Sequence, residues 1–150
     1  MIIVFEGSNK VGKSTIISKF EKMHNVTKIY NRELMEIMRN VKQESFIAAN
    51  AMLDVLIPLS KKQNIILDRF HLSEYVYGFL SRGYDCSAET EAIDKRLADA
   101  GALLVLVTSE YTHIQDMEKA LEYGKIQSQF LTAWRHSRMD KVQIRLEEIS

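Results

Sequence analysis

The opening stretch MIIVFEGSNKVGKST constrains the fold more than any other part of the chain. MIIVF is a short, β-branched apolar run followed by a glycine turn, so it reads as a buried strand. From Lys13 to about Met23 the apolar residues Ile16, Ile17 and Phe20 keep helical spacing. Between strand and helix lie a Gly, four residues, and then Gly-Lys-Ser. A glycine loop in that setting is where a backbone cradles phosphate. Gly7 and Gly12 let the chain turn tightly, so that the N–H groups of the loop, with Ser8, Asn9, Lys10 and Val11, point inward. The helix start adds its positive dipole end. Lys13 is placed to reach the β- and γ-phosphates of a nucleotide, the Ser14 hydroxyl is a ligand for Mg²⁺, and Thr15 supports the helix start. The spacing is wrong for Gly-x-Gly-x-x-Gly, which excludes a dinucleotide-binding domain.

Downstream, apolar strands alternate with helical patterns. NVTKIY reads as a second strand and ELMEIMRN as a short helix. A longer helix over residues 43–62 follows, with Pro58, the only proline, expected to kink or open its last turns. NIILD is a third buried strand. Helices are expected over 72–80 and 87–100, with Gly101 as a C-cap. ALLVLVT is a fourth, very apolar strand, residues 109–137 are helical with a break near Gly124, and DKVQIRLEE closes the chain as an edge strand. Alternation of this kind predicts a parallel α/β sheet. With 150 residues and no repeat or linker, the chain reads as one domain over 1–150.

Charge narrows the function further. Twenty basic and twenty acidic residues cancel, which argues against a protein that coats nucleic acid or anionic membrane. The single Cys86 cannot form an internal disulfide, which suits a reducing cytoplasm. Neither a signal peptide nor a run of about 18 apolar residues is visible. The four histidines lack ligand spacing, so no zinc site is expected. FLTAWRHSRMDK interleaves aromatic and basic residues but reads as an amphipathic helix packing Phe130, Leu131 and Trp134 inward.

Asp68 ends the third strand, and ligands of parallel sheets sit outside the carboxyl ends of strands. An acid there stands near the Mg²⁺ and the reacting phosphate; the alternatives are an N-cap or a salt bridge to Arg69. The Arg69 fork suits phosphate oxygens better than a lysine does.

Taken together, FEGSNKVGKST and ILDRFHLSEYVYG resemble the thymidylate kinase and deoxynucleoside kinase superfamily of P-loop kinases. The long helix with its proline and the VYGFLSRGYD segment extend the likeness over about residues 1–110. The resemblance implies a three-layer α/β/α P-loop NTPase fold with a five-stranded parallel sheet. It also implies phosphoryl transfer from ATP-Mg to a small nucleotide or nucleoside. On that basis Lys13, Asp68 and Arg69 act at the transfer point, with Asp68 orienting or deprotonating the acceptor. Glu6 lies near the acceptor or supports the loop. Arg32 matches an acceptor-side arginine or is a solvated helix-start charge. Tyr75 and Tyr77 face the acceptor cleft or are ordinary packing tyrosines.

Two departures stand out. Asn50-Ala51 replaces the family's Asp-Arg pair, and the usually arginine-rich lid offers only Lys119 and Lys125 in TSEYTHIQDMEKALEYGK. Lys10, inside the loop, is expected to carry part of the missing charge, with Arg82 as a second candidate. The leading expectation is a deoxynucleoside monophosphate kinase. A deoxynucleoside kinase, a kinase of polynucleotide ends and a non-catalytic nucleotide switch are the rivals. Small kinases of this kind often pair through helices, so a homodimer is compatible with the sequence, as is a virus or phage source.

Overall fold

The computed structural model describes residues 1–8, 12–23, 25–30, 36, 45–110 and 117–148. In chain order the elements are β1 (Ile2–Glu6), α1 (Lys13–Met23), β2 (Val26–Tyr30), α2 (Ser45–Ser60), β3 (Asn64–Asp68), α3 (His71–Arg82), α4 (Ser87–Asp99), β4 (Leu103–Thr108), α5 (Met117–His136) and β5 (Asp140–Arg145). A 3₁₀ turn, Leu146–Glu148, follows β5. ELMEIMRN, expected as a short helix, falls almost wholly outside the described residues.

The five strands form one parallel sheet in the order β2-β3-β1-β4-β5, which puts β5 at an edge. Both faces are covered, and the apolar runs of the sequence follow from that. Ile2, Val4, Ile65, Leu67, Leu104 and Leu106 pack on one side against residues of α2, α3, α4 and α5. Ile3, Phe5, Ile66, Val105 and Val107 pack on the other against Ile16 and Ile17 of α1 and Tyr123 of α5. The result is the three-layer α/β/α arrangement. Fully buried rings such as Phe5 and Phe130 each contribute about 1.5–3 kcal/mol through burial.

Local signals resolve differently along the chain. Gly101 has φ 74° and ends α4: its N–H donates to Ala98 O, and Ala102 N–H reaches back to Leu97 O. Pro58 sits inside α2 near its end, where Lys61 N–H bonds Pro58 O at 3.3 Å and Lys62 N–H bonds Leu59 O at 3.0 Å. These i→i+3 bonds tighten the final turn. The break expected near Gly124 does not occur, because α5 runs through it. Tyr123, Ile126 and Phe130 pack inward around the glycine, which offsets its helix penalty of about 1 kcal/mol. Nor is the chain helical at Ser109 and Glu110: the Ser109 hydroxyl and the Glu110 N–H both donate to the Glu147 carboxylate, at 2.6 and 2.5 Å.

Candidate active site

Sheet order brings the chemistry together. β1 and β3 are neighbours in parallel register, with Phe5 opposite Asp68. The loop that follows β1 and the acid that ends β3 therefore open on the same edge of the sheet. Lys13, the first residue of α1, donates its ammonium to Asp68 Oδ1. Both side chains are buried, Lys13 at 7% and Asp68 at 8% exposure. Burial lowers the Lys13 ammonium below its ordinary pKa, against the opposing pull of its hydrogen bond to Asp68. Neither of the sequence alternatives for Asp68 is realised: Phe70 is the N-cap of α3, and the partners of Asp68 are lysines.

Gly12 has φ 86°, and Ile16 N–H bonds its carbonyl at 3.2 Å as α1 begins. A Cβ at Gly12 would approach Leu146 Cδ2 to 2.7 Å, so the turn after β5 closes directly on the loop. Ser14 and Thr15 are exposed on the first turn of α1, and Ser8 is buried. The Ser14 hydroxyl and the Asp68 carboxylate are all-oxygen donors, a set that suits hard Mg²⁺.

After Asp68 the chain turns sharply. Arg69 N–H extends the ladder to Phe5 O at 2.8 Å, and Arg69 adopts φ 67°, a left-handed conformation rare for a residue with a Cβ. Its guanidinium donates to Gly7 O at 2.7 Å and to Ser73 Oγ at 3.4 Å, and lies 5.9 Å from the centre of the Tyr77 ring. Arg69 thus ties the α3 side of the site to the loop. Phe70 has no side chain with which to cap α3. Glu6 supplies the carboxylate instead, from the end of β1. Its Oε1 accepts the Phe70 N–H at 2.6 Å and its Oε2 accepts the Ser73 hydroxyl, with Glu6 wholly buried. A carboxylate at a helix N-terminus is favoured by the helix dipole.

His71, the next residue, is held from the other side. Its Nε2 lies 2.8 Å from Asp94 Oδ1 on α4. Asp94 also accepts the Ser137 hydroxyl and the Arg138 N–H, both at 2.7 Å, and so links α3, α4 and the turn before β5. Burial alone would raise the Asp94 carboxyl, but the bonds from His71, Ser137 and Arg138 hold it below the usual range. A carboxylate depressed in the folded state stabilises the fold above its unfolded pKa of about 3.9 and loses that contribution as pH falls through the folded value. Urea midpoints of the wild type should therefore drop steeply below about pH 4. An Asp94→Asn variant should be weaker at pH 7 and show a shallower acid slope. Parallel pH profiles would remove Asp94 from this role.

The remaining expected residues are placed as follows. Tyr77 meets Arg69 and packs edge-on against Phe130 at 5.8 Å. Tyr75 lines a separate cavity of about 270 Å³ with Leu72, Thr90, Asp94, Thr132 and Ser137. Arg82 is the last residue of α3, with its side chain outside the description. Asn9, Lys10, Val11 and Arg32 lie outside the described residues. Of the two lysines assigned to the lid, both lie on α5 and are exposed.

Two residues at or near these positions had no sequence signal of their own. Lys28 of β2 places its ammonium 3.9 Å from Asp68 Oδ2. Arg96 of α4 donates to Asn50 Oδ1 at 2.8 Å, to Asn50 O at 3.1 Å and to Asp54 Oδ1 at 2.7 Å. An arginine from another helix thus reaches the Asn50-Ala51 position. Cys86 is buried, and burial pushes its thiol pKa up, away from reactivity.

Gly7 and Gly12 between β1 and α1, an acid at the end of the adjacent strand, and a parallel sheet in the order 2-3-1-4-5 together make a three-layer α/β/α fold. Among solved structures, the chain shares that fold with the YorR protein of Bacillus subtilis, solved in complex with phosphorylated GDP. The TM-score is 0.77 at 17% identity, covering 100% of this chain and 88% of that one. It shares the fold also with thymidylate kinase from Ehrlichia chaffeensis, with a TM-score of 0.58 at 17% identity, covering 97% and 86%. No family model and no curated protein matches the sequence. Among the described residues, no helix is long and apolar enough to cross a membrane.

Proposed function

We propose that the protein is a nucleotide kinase that transfers a phosphoryl group from ATP-Mg to a small acceptor, with a deoxynucleoside monophosphate as the acceptor of choice. The observation that carries this reading is the juxtaposition of Lys13, Asp68 and Arg69. A loop lysine, an acid and an arginine tied to the loop backbone meet where two adjacent parallel strands end. The likeness in fold to a thymidylate kinase and to a protein holding phosphorylated GDP supports it.

In this reading Lys13 leaves Asp68 for the β- and γ-phosphates of the donor. Asp68 orients the acceptor, and Arg69 draws charge off the transferred group as it passes. When bound, Mg²⁺ supplies neutralisation of phosphate charge, held by Ser14 and Asp68. Gly7, Ser8, Asn9, Lys10, Val11, Gly12 and Thr15 complete the donor loop, and Lys10 adds a further cation to it. Arg32, Tyr77 and Arg82 remain acceptor-side candidates, whereas Tyr75 lines the separate cavity beside α4 and α5. Glu6, with both oxygens engaged, acts by holding the Asp68-Arg69 turn. One domain over 1–150, working in the cytoplasm on small molecules, alone or as a homodimer, fits the reading.

Incubation with ATP-Mg and a panel of deoxynucleosides and their monophosphates, followed by chromatography, tests it. A diphosphate product from one monophosphate is the expected result. Product from free nucleosides only would recast the protein as a deoxynucleoside kinase, with Asp68 as base for the 5′-hydroxyl. ATP binding without any product would leave a switch or a polynucleotide kinase.

A further inference from the structure

Asp68 stands between two lysines that come from opposite sides. Lys13 arrives from the loop after β1 and takes Oδ1, while Lys28 arrives from β2 and lies 3.9 Å from Oδ2. The sheet order β2-β3-β1 allows this arrangement, since β3 has the loop after β1 on one flank and β2 on the other, and Lys28 shares a face with Asp68 two residues along the register. In-line transfer needs the attacking and leaving oxygens on opposite sides of the moving phosphorus. With the donor tail over the β1 side, the acceptor enters from the β2 side. Resting on the kinase reading above, we infer that Lys28 is the acceptor-side cation of the site and sets the preference for a phosphorylated acceptor.

The charges around the transfer point support this. Lys13, Lys28 and Arg69 carry three positive charges against Asp68 and Glu6, and both Glu6 oxygens are turned away into the cap of α3. When the donor phosphates draw off Lys13, Lys28 still faces the carboxylate. An ammonium there offers a bond to a phosphomonoester oxygen and holds that dianion beside Asp68. A free 5′-hydroxyl has no charge for it to bind. Lys28 is 24% exposed on an edge strand, so its side chain lies at the boundary between the site and solvent.

The test is calorimetric. Wild type, Lys28→Met, Lys28→Gln and Lys28→Arg are titrated, with ADP-Mg saturating, with the four deoxynucleosides and their 5′-monophosphates. ADP-Mg is titrated separately, and thermal unfolding checks that each variant is folded. At least one monophosphate should bind wild type about tenfold or more tightly than its nucleoside, as a charge-assisted bond predicts. Lys28→Met and Lys28→Gln should erase that difference while ADP affinity stays within about twofold, and Lys28→Arg should restore most of it. A monophosphate preference surviving in both neutral variants overturns the inference. So does a parallel loss of ADP affinity, which would put Lys28 on the donor side. Absence of ADP binding to the wild type would instead sink the nucleotide-site reading, and the Lys28 role with it.

Discussion

With Lys13 replaced by Ala, phosphoryl transfer from ATP-Mg should fall by at least about 10²–10³, the loss typical of removing one donor from a charge-stabilising site. Lys13 is a buried cation at the start of α1, its ammonium already bonded to Asp68 and therefore within reach of anything that replaces that carboxylate. Its alanine variant should remain folded, because Asp68 keeps Lys28 as a partner. Product formation followed over hours gives the rate, and calorimetry with ADP gives the binding loss. A variant that transfers phosphate at near wild-type rate would show that the lysine is structural and that the loop does not hold the donor as proposed.

The largest stability effect is expected at Glu6. Its carboxylate is wholly buried and satisfies the Phe70 N–H and the Ser73 hydroxyl. Glu6→Ala leaves the Phe70 N–H without its acceptor and the Ser73 hydroxyl with only its long contact to Arg69, at about 1–3 kcal/mol for each lost bond. In a chain of this length the sum should lower Tm by roughly 5–15 °C. Activity should fall as well, since the Asp68-Arg69 turn loses the contact that fixes its exit into α3. Glu6→Gln keeps an acceptor for the Phe70 N–H, and the Ser73 hydroxyl can rotate to accept from the amide. It should therefore recover more than half of the lost stability. Scanning calorimetry of the three proteins decides: an alanine variant as stable as wild type would mean that water or a rearranged turn replaces the carboxylate.

The parts of the fold that show in the sequence are those that depend on near neighbours. β-branched apolar runs gave strands buried on both faces, and glycine at fixed spacing gave the loop. Asp68 at the end of NIILD could be placed at the sheet edge without knowing the neighbouring strand. What stayed hidden are contacts between distant residues. The Glu-Gly opening was visible, but nothing in it tells that Glu6 caps a helix starting 65 residues later. Lys28 sits in a strand where alternation puts it on one face with Val26 and Tyr30, and only the order β2-β3-β1 sets it near Asp68. Arg96 and Asp94 lie on one amphipathic helix, with Asn50 and His71 as partners on two other helices. Gly124 misled for the opposite reason: a local helix-weakening signal was outweighed by tertiary packing.

On the kinase reading proposed above, the ion pair between Lys13 and Asp68 also bears on the order in which donor and acceptor bind. While the two are joined, the acid that should greet the acceptor is engaged with the lysine that should greet the donor. Nucleotide phosphates compete for that lysine, and in capturing it they release one oxygen of the carboxylate. An acceptor arriving first meets an acid still half occupied; one arriving second meets it available. The resting contact thus favours a compulsory order, donor before acceptor.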